Sequence, residues 1–139
     1  MATRVSSEGE TAPAPPRTLH LLIVEDEALV ASYIQDVLEE SGFRIAGVAS
    51  SGAEAISLAS EVPVDLALVD IKLAGPMDGI EVARLLRERH GVPSIFLSGL
   101  QDPETMQRAR TVEPLGFLPK PFRPSQVYNA LEKALEQIT

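Results

Sequence analysis

The chain has 139 residues, 45% of them hydrophobic and 23% charged, a composition that fits one globular domain with its own hydrophobic core. Its formal net charge of −8 argues against direct binding to nucleic acid or to an anionic membrane surface, and favours cations and basic protein surfaces as partners. The absence of Cys from the sequence excludes disulfides, thiolate metal ligands and a Cys nucleophile.

Residues 1–17 differ in composition from the rest of the chain. Ser, Thr, Glu, Gly and Pro dominate this segment, so we expect a flexible leader ahead of a domain at residues 18–139. Neither this segment nor any later one has the apolar length of a signal-peptide core or of a membrane span. We therefore expect a cytoplasmic protein.

After the leader, short apolar runs alternate with segments of helical periodicity. In chain order, the pattern predicts a strand at 19–24, a helix at 28–40, a strand at 43–48, a helix at 51–60 and a strand at 64–69. The second half continues with a helix at 79–89, a strand at 92–97, a helix that opens at Asp102-Pro103, a strand at 115–118 and a helix at 124–138. Five apolar strands that alternate with five helices indicate a doubly wound α/β fold, whose parallel sheet is covered on both faces.

Polar side chains follow four of the five predicted strands. They are Glu25 and Asp26 after the first strand, Asp70 after the third, Ser98 after the fourth and Lys120 after the fifth. Ligands of doubly wound folds bind beyond the carboxyl ends of the strands, so we expect these side chains to share one site. The second strand carries no comparable group at its end.

The residue types at this edge point to a cation and a phosphoryl group. Clustered carboxylates repel one another, and a hard divalent cation such as Mg²⁺ removes that repulsion by binding one or two carboxylates together with a phosphate. Asp26 and Asp70 are candidate ligands, with Glu25 nearby. Ser98 and Lys120 fit as groups that hydrogen-bond or neutralise phosphoryl oxygens. An Asp can also be the nucleophile that forms an aspartyl phosphate.

Five stretches resemble the receiver domain of two-component response regulators, and the resemblance covers residues 19–138. They are VEDE at 24–27, LVDIKL at 68–73, MDGIEVARLLR at 77–87, IFLSGL at 95–100 and GFLPKPF at 116–122. The resemblance implies a flavodoxin-like fold with five helices and the strand order 2-1-3-4-5. Because the last predicted helix ends the given sequence, we expect a receiver of the stand-alone, single-domain type.

The resemblance also implies a role for each residue at the site. Asp70 is the phosphoacceptor by this correspondence, and Mg²⁺ is held by Glu25, Asp26, Asp70 and the backbone carbonyl of Lys72. Ser98 corresponds to the family's switch hydroxyl, and Gly99 to the small residue that admits the phosphoryl group. Lys120 corresponds to the lysine that contacts phosphate and forms a cis peptide bond with the following proline, here Pro121. Phe117 corresponds to the switch aromatic. Taken alone, Phe117 could equally be a packing aromatic, and Ser98 a turn residue.

The function implied by this resemblance is that of a phosphorylation-activated response regulator. Such a protein accepts a phosphoryl group from a histidine kinase or a histidine phosphotransferase in a Mg²⁺-dependent reaction, and then signals or relays through protein contacts. It is not an enzyme beyond self-phosphorylation from small donors and slow self-dephosphorylation. We expect a monomer or a phosphorylation-dependent dimer, with no direct contact to nucleic acid or membrane.

Two departures from the family pattern lie beside the expected phosphoacceptor. Position 72 is often apolar or Asn in the family, and the loop between Asp70 and Asp78 is one residue longer than the usual spacing. The Lys72 ammonium is expected to reach over the phosphoryl oxygens or to pair with Glu25, and Leu100 to limit water access, so that self-dephosphorylation is slow.

A weaker resemblance links residues 96–100 to a subfamily of stand-alone bacterial receivers. This subfamily is named for a Phe-Ala-Thr-Gly-bulky stretch and is linked to general stress signalling. Leu97, Ser98 and Leu100 depart from that stretch.

Two other functions remain open at this point. One is a metal-dependent phosphatase with an Asp nucleophile, which would need a general acid near Asp70 and a substrate cap, whereas position 72 is Lys and no insertion is long enough for a lid. The other is a module that binds a partner without phosphorylation.

Overall fold

The computed structural model describes residues 19–99 and 101–138. The expected leader at residues 1–17, and the expected shielding by Leu100, lie outside the described residues. Within the described ranges, no helix combines the length and the apolar character that crossing a bilayer requires.

Five parallel strands form one sheet in the order β2-β1-β3-β4-β5, which confirms the doubly wound, flavodoxin-like fold. The strands are β1 (His20–Val24), β2 (Arg44–Ala49), β3 (Leu66–Asp70), β4 (Ser94–Ser98) and β5 (Gly116–Pro119). Each lies within two residues of its predicted position. Proline explains one difference, since Pro93 has no N–H to donate and the predicted start of β4 at residue 92 moves to Ser94.

Five helices connect the strands, as the periodicity predicts. They are α1 (Ala28–Glu40), α2 (Gly52–Glu61), α3 (Gly79–His90), α4 (Pro103–Thr111) and α5 (Pro124–Ile138). Side chains cap three of them: Ser51 accepts a hydrogen bond from the backbone of Glu54, Asp78 from that of Glu81, and Asp102 from that of Thr105. The predicted helix opening at Asp102-Pro103 is therefore confirmed.

The strands are apolar on both faces because helices cover both faces. In β1, Leu21 and Ile23 belong to a core shared with α1 and α5, whereas Leu22 and Val24 belong to a core shared with α2 and α3. All four side chains are fully buried. Polar side chains are therefore expected at the strand ends, and a functional site at the carboxyl edge of the sheet.

Candidate functional site

Three acids meet at the carboxyl edge of the central strands. β1 and β3 are neighbours, with Val24 paired to Val69, so the residues that follow Val24 lie beside Asp70, the last residue of β3. One carboxylate oxygen from each of Glu25, Asp26 and Asp70 lies within 4.8 Å of the others. The strand order thus brings together the acids that the sequence analysis singled out.

Hydrogen bonds from the backbone fix the direction of all three carboxylates. The N–H of Glu27 donates to Glu25 Oε2 at 3.0 Å, and the N–H of Ala74 donates to Asp26 Oδ2 at 2.9 Å. Asp70 Oδ1 accepts from the N–H of Lys72 at 3.1 Å. The bond from Ala74 joins the loop after β3 to the end of β1, so the loop that leads to α3 is tied to the acidic cluster.

Lys120 supplies the positive charge of the site. Its Nζ lies 3.0 Å from Asp70 Oδ2 and 2.9 Å from Glu25 Oε1, and 3.8 Å from the exposed carboxylate of Glu27. Burial lowers the pKa of the Lys120 ammonium, but hydrogen bonds to Glu25 and Asp70 outweigh burial, and the pKa is raised. Lys120 therefore carries a full positive charge at neutral pH. Its peptide bond to Pro121 is cis, as the family resemblance implies.

Glu25 is the residue that most needs a further cation. The residue is 1% exposed, and burial raises the pKa of its carboxyl group even though Lys120 and the N–H of Glu27 act in the opposite direction. Its buried Oε1 lies 2.9 Å from the Lys120 Nζ. Three acids facing one lysine leave an excess of negative charge, and a divalent cation with oxygen ligands fits that donor set.

The position of Lys72 differs from one of the two poses expected for it. In the part of the chain that the structure describes, Glu25 pairs with Lys120, the residue after β5, and not with Lys72. The exposed side chain of Lys72 lines a cleft of about 490 Å³ together with Asp26, Asp78 and Arg108. Its backbone carbonyl as a metal ligand stays a prediction.

The two expected switch residues lie on neighbouring strands. Ser98 is the last residue of β4, is buried, and pairs with Pro119 of β5, while the N–H of Lys120 donates to its backbone oxygen at 2.7 Å. Phe117 is half-buried on β5 and packs against Phe96, with 5.9 Å between ring centroids. A continuous backbone connection therefore runs from Lys120 at the site to both residues, although Phe117 packs on the core and not on the acids.

Gly79 is a residue whose importance the sequence analysis did not single out. A Cβ at this position would lie 1.8 Å from the backbone oxygen of Asp70, so only glycine allows α3 to approach the end of β3 so closely. Its N–H donates to the backbone oxygen of Ile71 at 2.9 Å. The Asp78-Gly79 pair belongs to the stretch MDGIEVARLLR at 77–87, which is the sequence signal for this contact.

Apolar side chains rim the site on the side of α1. Tyr33 packs on Phe122 with 5.7 Å between ring centroids, and its hydroxyl donates to the backbone oxygen of Phe122 at 3.1 Å. These two residues, with Leu29 and Lys120, line a cavity of about 410 Å³. The loop that carries Lys120 is thus held against α1 as well as against the acids.

Comparisons with known proteins agree with this geometry. The family model of the response regulator receiver domain matches residues 21–132. The transcriptional regulatory protein PdtaR of Mycobacterium tuberculosis is 34% identical over 124 residues, which are 89% of this chain and 59% of PdtaR. The phyllosphere-induced regulator PhyR of Methylorubrum extorquens is 34% identical over 116 residues, 83% of this chain and 43% of PhyR. The chain thus spans about half the length of these curated relatives.

A solved structure gives the same result in three dimensions. The signal receiver domain of a modulated diguanylate cyclase from Desulfovibrio desulfuricans superposes with a TM-score of 0.82 at 39% sequence identity. The superposition covers 86% of this chain and 95% of that domain.

Proposed function

The chain belongs to the receiver domain family of response regulators, and from this we propose that it accepts a phosphoryl group on Asp70 in a reaction that requires Mg²⁺. Receiver domains are phosphoacceptors that exchange phosphoryl groups with histidine kinases or histidine phosphotransferases, so a phosphohistidine protein is the proposed donor. Signalling or relay through protein contacts, in the cytoplasm, completes the proposal.

The observation that carries this proposal is the position of Lys120 between two acids. Its ammonium lies 3.0 Å from Asp70 and 2.9 Å from Glu25, in a buried cluster that also contains Asp26. An ordinary structural ion pair needs one acid for each base, whereas a phosphoryl-transfer site needs surplus acids for the metal and a cation for the transferred group.

These positions support the following reaction. A carboxylate oxygen of Asp70 attacks phosphorus while the bond from phosphorus to the donor nitrogen or oxygen breaks, and the leaving group takes the electron pair of that bond. Lys120 neutralises charge on the phosphoryl oxygens, and Ser98 offers a hydroxyl donor at the end of β4. Glu25, Asp26 and Asp70 would hold Mg²⁺, which supplies charge neutralisation for the transferring group when bound.

A small phosphodonor tests the assignment directly. Incubation with acetyl phosphate and Mg²⁺ should add one phosphoryl group that is stable to acid and labile to base and hydroxylamine. Asp70→Asn should abolish labelling, because an amide is not a nucleophile here. Asp36→Asn, which changes an exposed acid on α1, serves as the matched control and should label normally.

The same experiment separates the alternative functions. A phosphatase would turn over a phosphate ester many times, whereas a phosphoacceptor is labelled once per chain. Equal labelling of Asp70→Asn in the intact mass would assign the phosphoryl group to another residue. A constitutive binding module would show no labelling of the wild type.

A further inference from the structure

Helix α4 has little apolar contact with the rest of the domain. Of its nine residues only Ala109 is buried, and Met106 adds a half-buried contact with the core on that side of the sheet. Hydrophobic burial scales with the area removed from water, so packing alone fixes α4 weakly. Any polar contact between α4 and the site therefore has a large share in setting its position.

Arg108 makes such a contact across the cleft beside the site. Its Nη2 lies 3.1 Å from Oδ2 of Asp78, which is 30 positions earlier in the chain. The pair spans the cleft of about 490 Å³ that Asp26 and Lys72 also line. The ion pair thus joins α4 to the loop that follows the phosphoacceptor.

Asp78 connects Arg108 to the backbone of Asp70 through the start of α3. Its other oxygen, Oδ1, accepts a hydrogen bond from the N–H of Glu81 at 2.9 Å and so caps α3. The next residue, Gly79, lies so close to the backbone oxygen of Asp70 that a Cβ would not fit between them. Arg108, Asp78 and Gly79 therefore form a short mechanical link between α4 and the phosphoacceptor.

We propose that Arg108 is a positioning residue that restrains α4 in its unphosphorylated arrangement by pairing with Asp78, and that loss of this pair eases the response to a phosphoryl group on Asp70. This rests on the proposed function of Asp70. A phosphoryl group adds up to about two negative charges at Asp70. A displacement of α4 that accompanies this change has to break the ion pair between Arg108 and Asp78, so the pair opposes the displacement. A restraint on one of two arrangements shifts the equilibrium between them by its own free energy.

Titration with beryllofluoride and Mg²⁺, followed by NMR, tests the restraint. An exposed ion pair contributes modestly, so Arg108→Gln should bind beryllofluoride about two- to five-fold more tightly than the wild type. Arg108→Lys keeps the charge and should lie between them. Arg110→Gln removes one positive charge from an exposed position of the same helix and should leave the affinity unchanged.

A second substitution separates the ion pair from the cap. Asp78→Asn retains an oxygen that caps α3 but removes the charge, and should tighten binding as Arg108→Gln does. The double variant should show no further gain, since the two substitutions break one contact. Additive gains, or an Arg108→Gln affinity equal to or weaker than that of the wild type, would overturn the proposal.

Hydrogen exchange of the free protein provides a readout that does not depend on phosphorylation. Amides of residues 104–111 should exchange faster in Arg108→Gln, and at the wild-type rate in Arg110→Gln. Failure of the wild type to bind beryllofluoride would count against the proposed function, and unchanged exchange would count against the restraint. Faster exchange with unchanged beryllofluoride affinity would reduce the ion pair to a structural contact and reject its positioning role.

Discussion

Lys72 has a distinctive setting beside Asp70, the proposed phosphoacceptor. Its backbone N–H binds Asp70 Oδ1, and its exposed side chain lines the cleft next to the site. Because Glu25 forms its ion pair with Lys120, the Lys72 ammonium remains available to bind the phosphoryl oxygens. An ammonium that lies over these oxygens shields them and cannot act as a base that orients water for hydrolysis.

We therefore predict slow self-dephosphorylation that is accelerated by Lys72→Asn and Lys72→Glu. The expected acceleration is roughly three- to ten-fold, well below the ~100-fold of a complete general base. The measurement is the decay of the phosphorylated protein in excess Mg²⁺, with Lys133→Asn on the exposed side of α5 as the control. Matching decay rates in all four proteins would make Lys72 only a surface charge.

The contact of Gly79 with Asp70 gives a second prediction for a single residue. Gly79→Ala places a Cβ 1.8 Å from the backbone oxygen of Asp70, so either α3 or the end of β3 has to move. We expect the free energy of unfolding to fall by about 1–3 kcal/mol. We also expect phosphoryl labelling of Asp70 by acetyl phosphate to slow.

Gly116→Ala is the matched control for this substitution. It adds the same methyl group at a position where no atom lies within 4 Å. Urea denaturation of both variants decides the matter, and equal stabilities would contradict the close approach of α3.

Single residues also mark the limit of what the sequence could predict at the site. The sequence could predict one shared site for the polar residues at the ends of the apolar strands, because parallel strands end at one edge of the sheet. These residues are Glu25, Asp26, Asp70 and Lys120. The sequence could not predict that Lys120 pairs with Glu25 or that Arg108 pairs with Asp78. These contacts depend on loop conformations and side-chain rotamers, which have no periodicity in the sequence.

At the level of secondary structure elements, the paired strands β4 and β5 connect the site to Phe117. Ser98 is hydrogen-bonded through its backbone oxygen to Lys120, and Phe117 lies two residues before Pro119, the partner of Ser98. A hydroxyl drawn toward a phosphoryl oxygen vacates space that an aromatic side chain can enter, which gives an arrangement with two states.

Beryllofluoride should therefore change NMR shifts in residues 98–122, along β4, α4 and β5. Ser98→Ala removes the hydroxyl and should reduce the change at Phe117 while the changes at residues 70–79 persist. Shift changes that stay within residues 25–27 and 70–79 in the wild type would argue against propagation to these elements.

The order and type of the elements were predictable for a physical reason. Buried parallel strands are apolar throughout, and the helices between them alternate apolar and polar faces, so the two patterns differ in period and length. Strand ends were less predictable. The backbone pairing that sets them depends on neighbours distant in sequence, as the late start of β3 at Leu66 shows.

At the scale of the whole molecule, the acidic cluster reduces stability that a metal ion can restore. Folding brings Asp70 to the adjacent Glu25 and Asp26, with one oxygen of each acid within 4.8 Å of the others. Lys120 pairs with Glu25 and Asp70. An ion that binds the folded protein alone stabilises it by mass action, by about 2.7 kcal/mol at a concentration one hundred times its Kd.

We predict that Mg²⁺ raises the melting temperature of the unphosphorylated protein and that Asp26→Asn removes most of this increase. Because the substitution also relieves repulsion, the variant should melt at least as high as the wild type without metal. Thermal unfolding with and without Mg²⁺ measures both effects, with Asp36→Asn as the control. An unchanged Mg²⁺ response in Asp26→Asn would place the metal elsewhere.

The packing of Tyr33 on Phe122 has an optical consequence. The chain has no Trp and two Tyr, so Tyr33 and Tyr128 account for its intrinsic fluorescence. Tyr33 is hydrogen-bonded to the loop that carries Lys120, whereas Tyr128 lies on α5 and is 46% exposed. A Tyr128→Phe protein would thus carry a single tyrosine, Tyr33, whose packing partner Phe122 lies two residues after Lys120, and occupancy of the site could be followed without any attached dye.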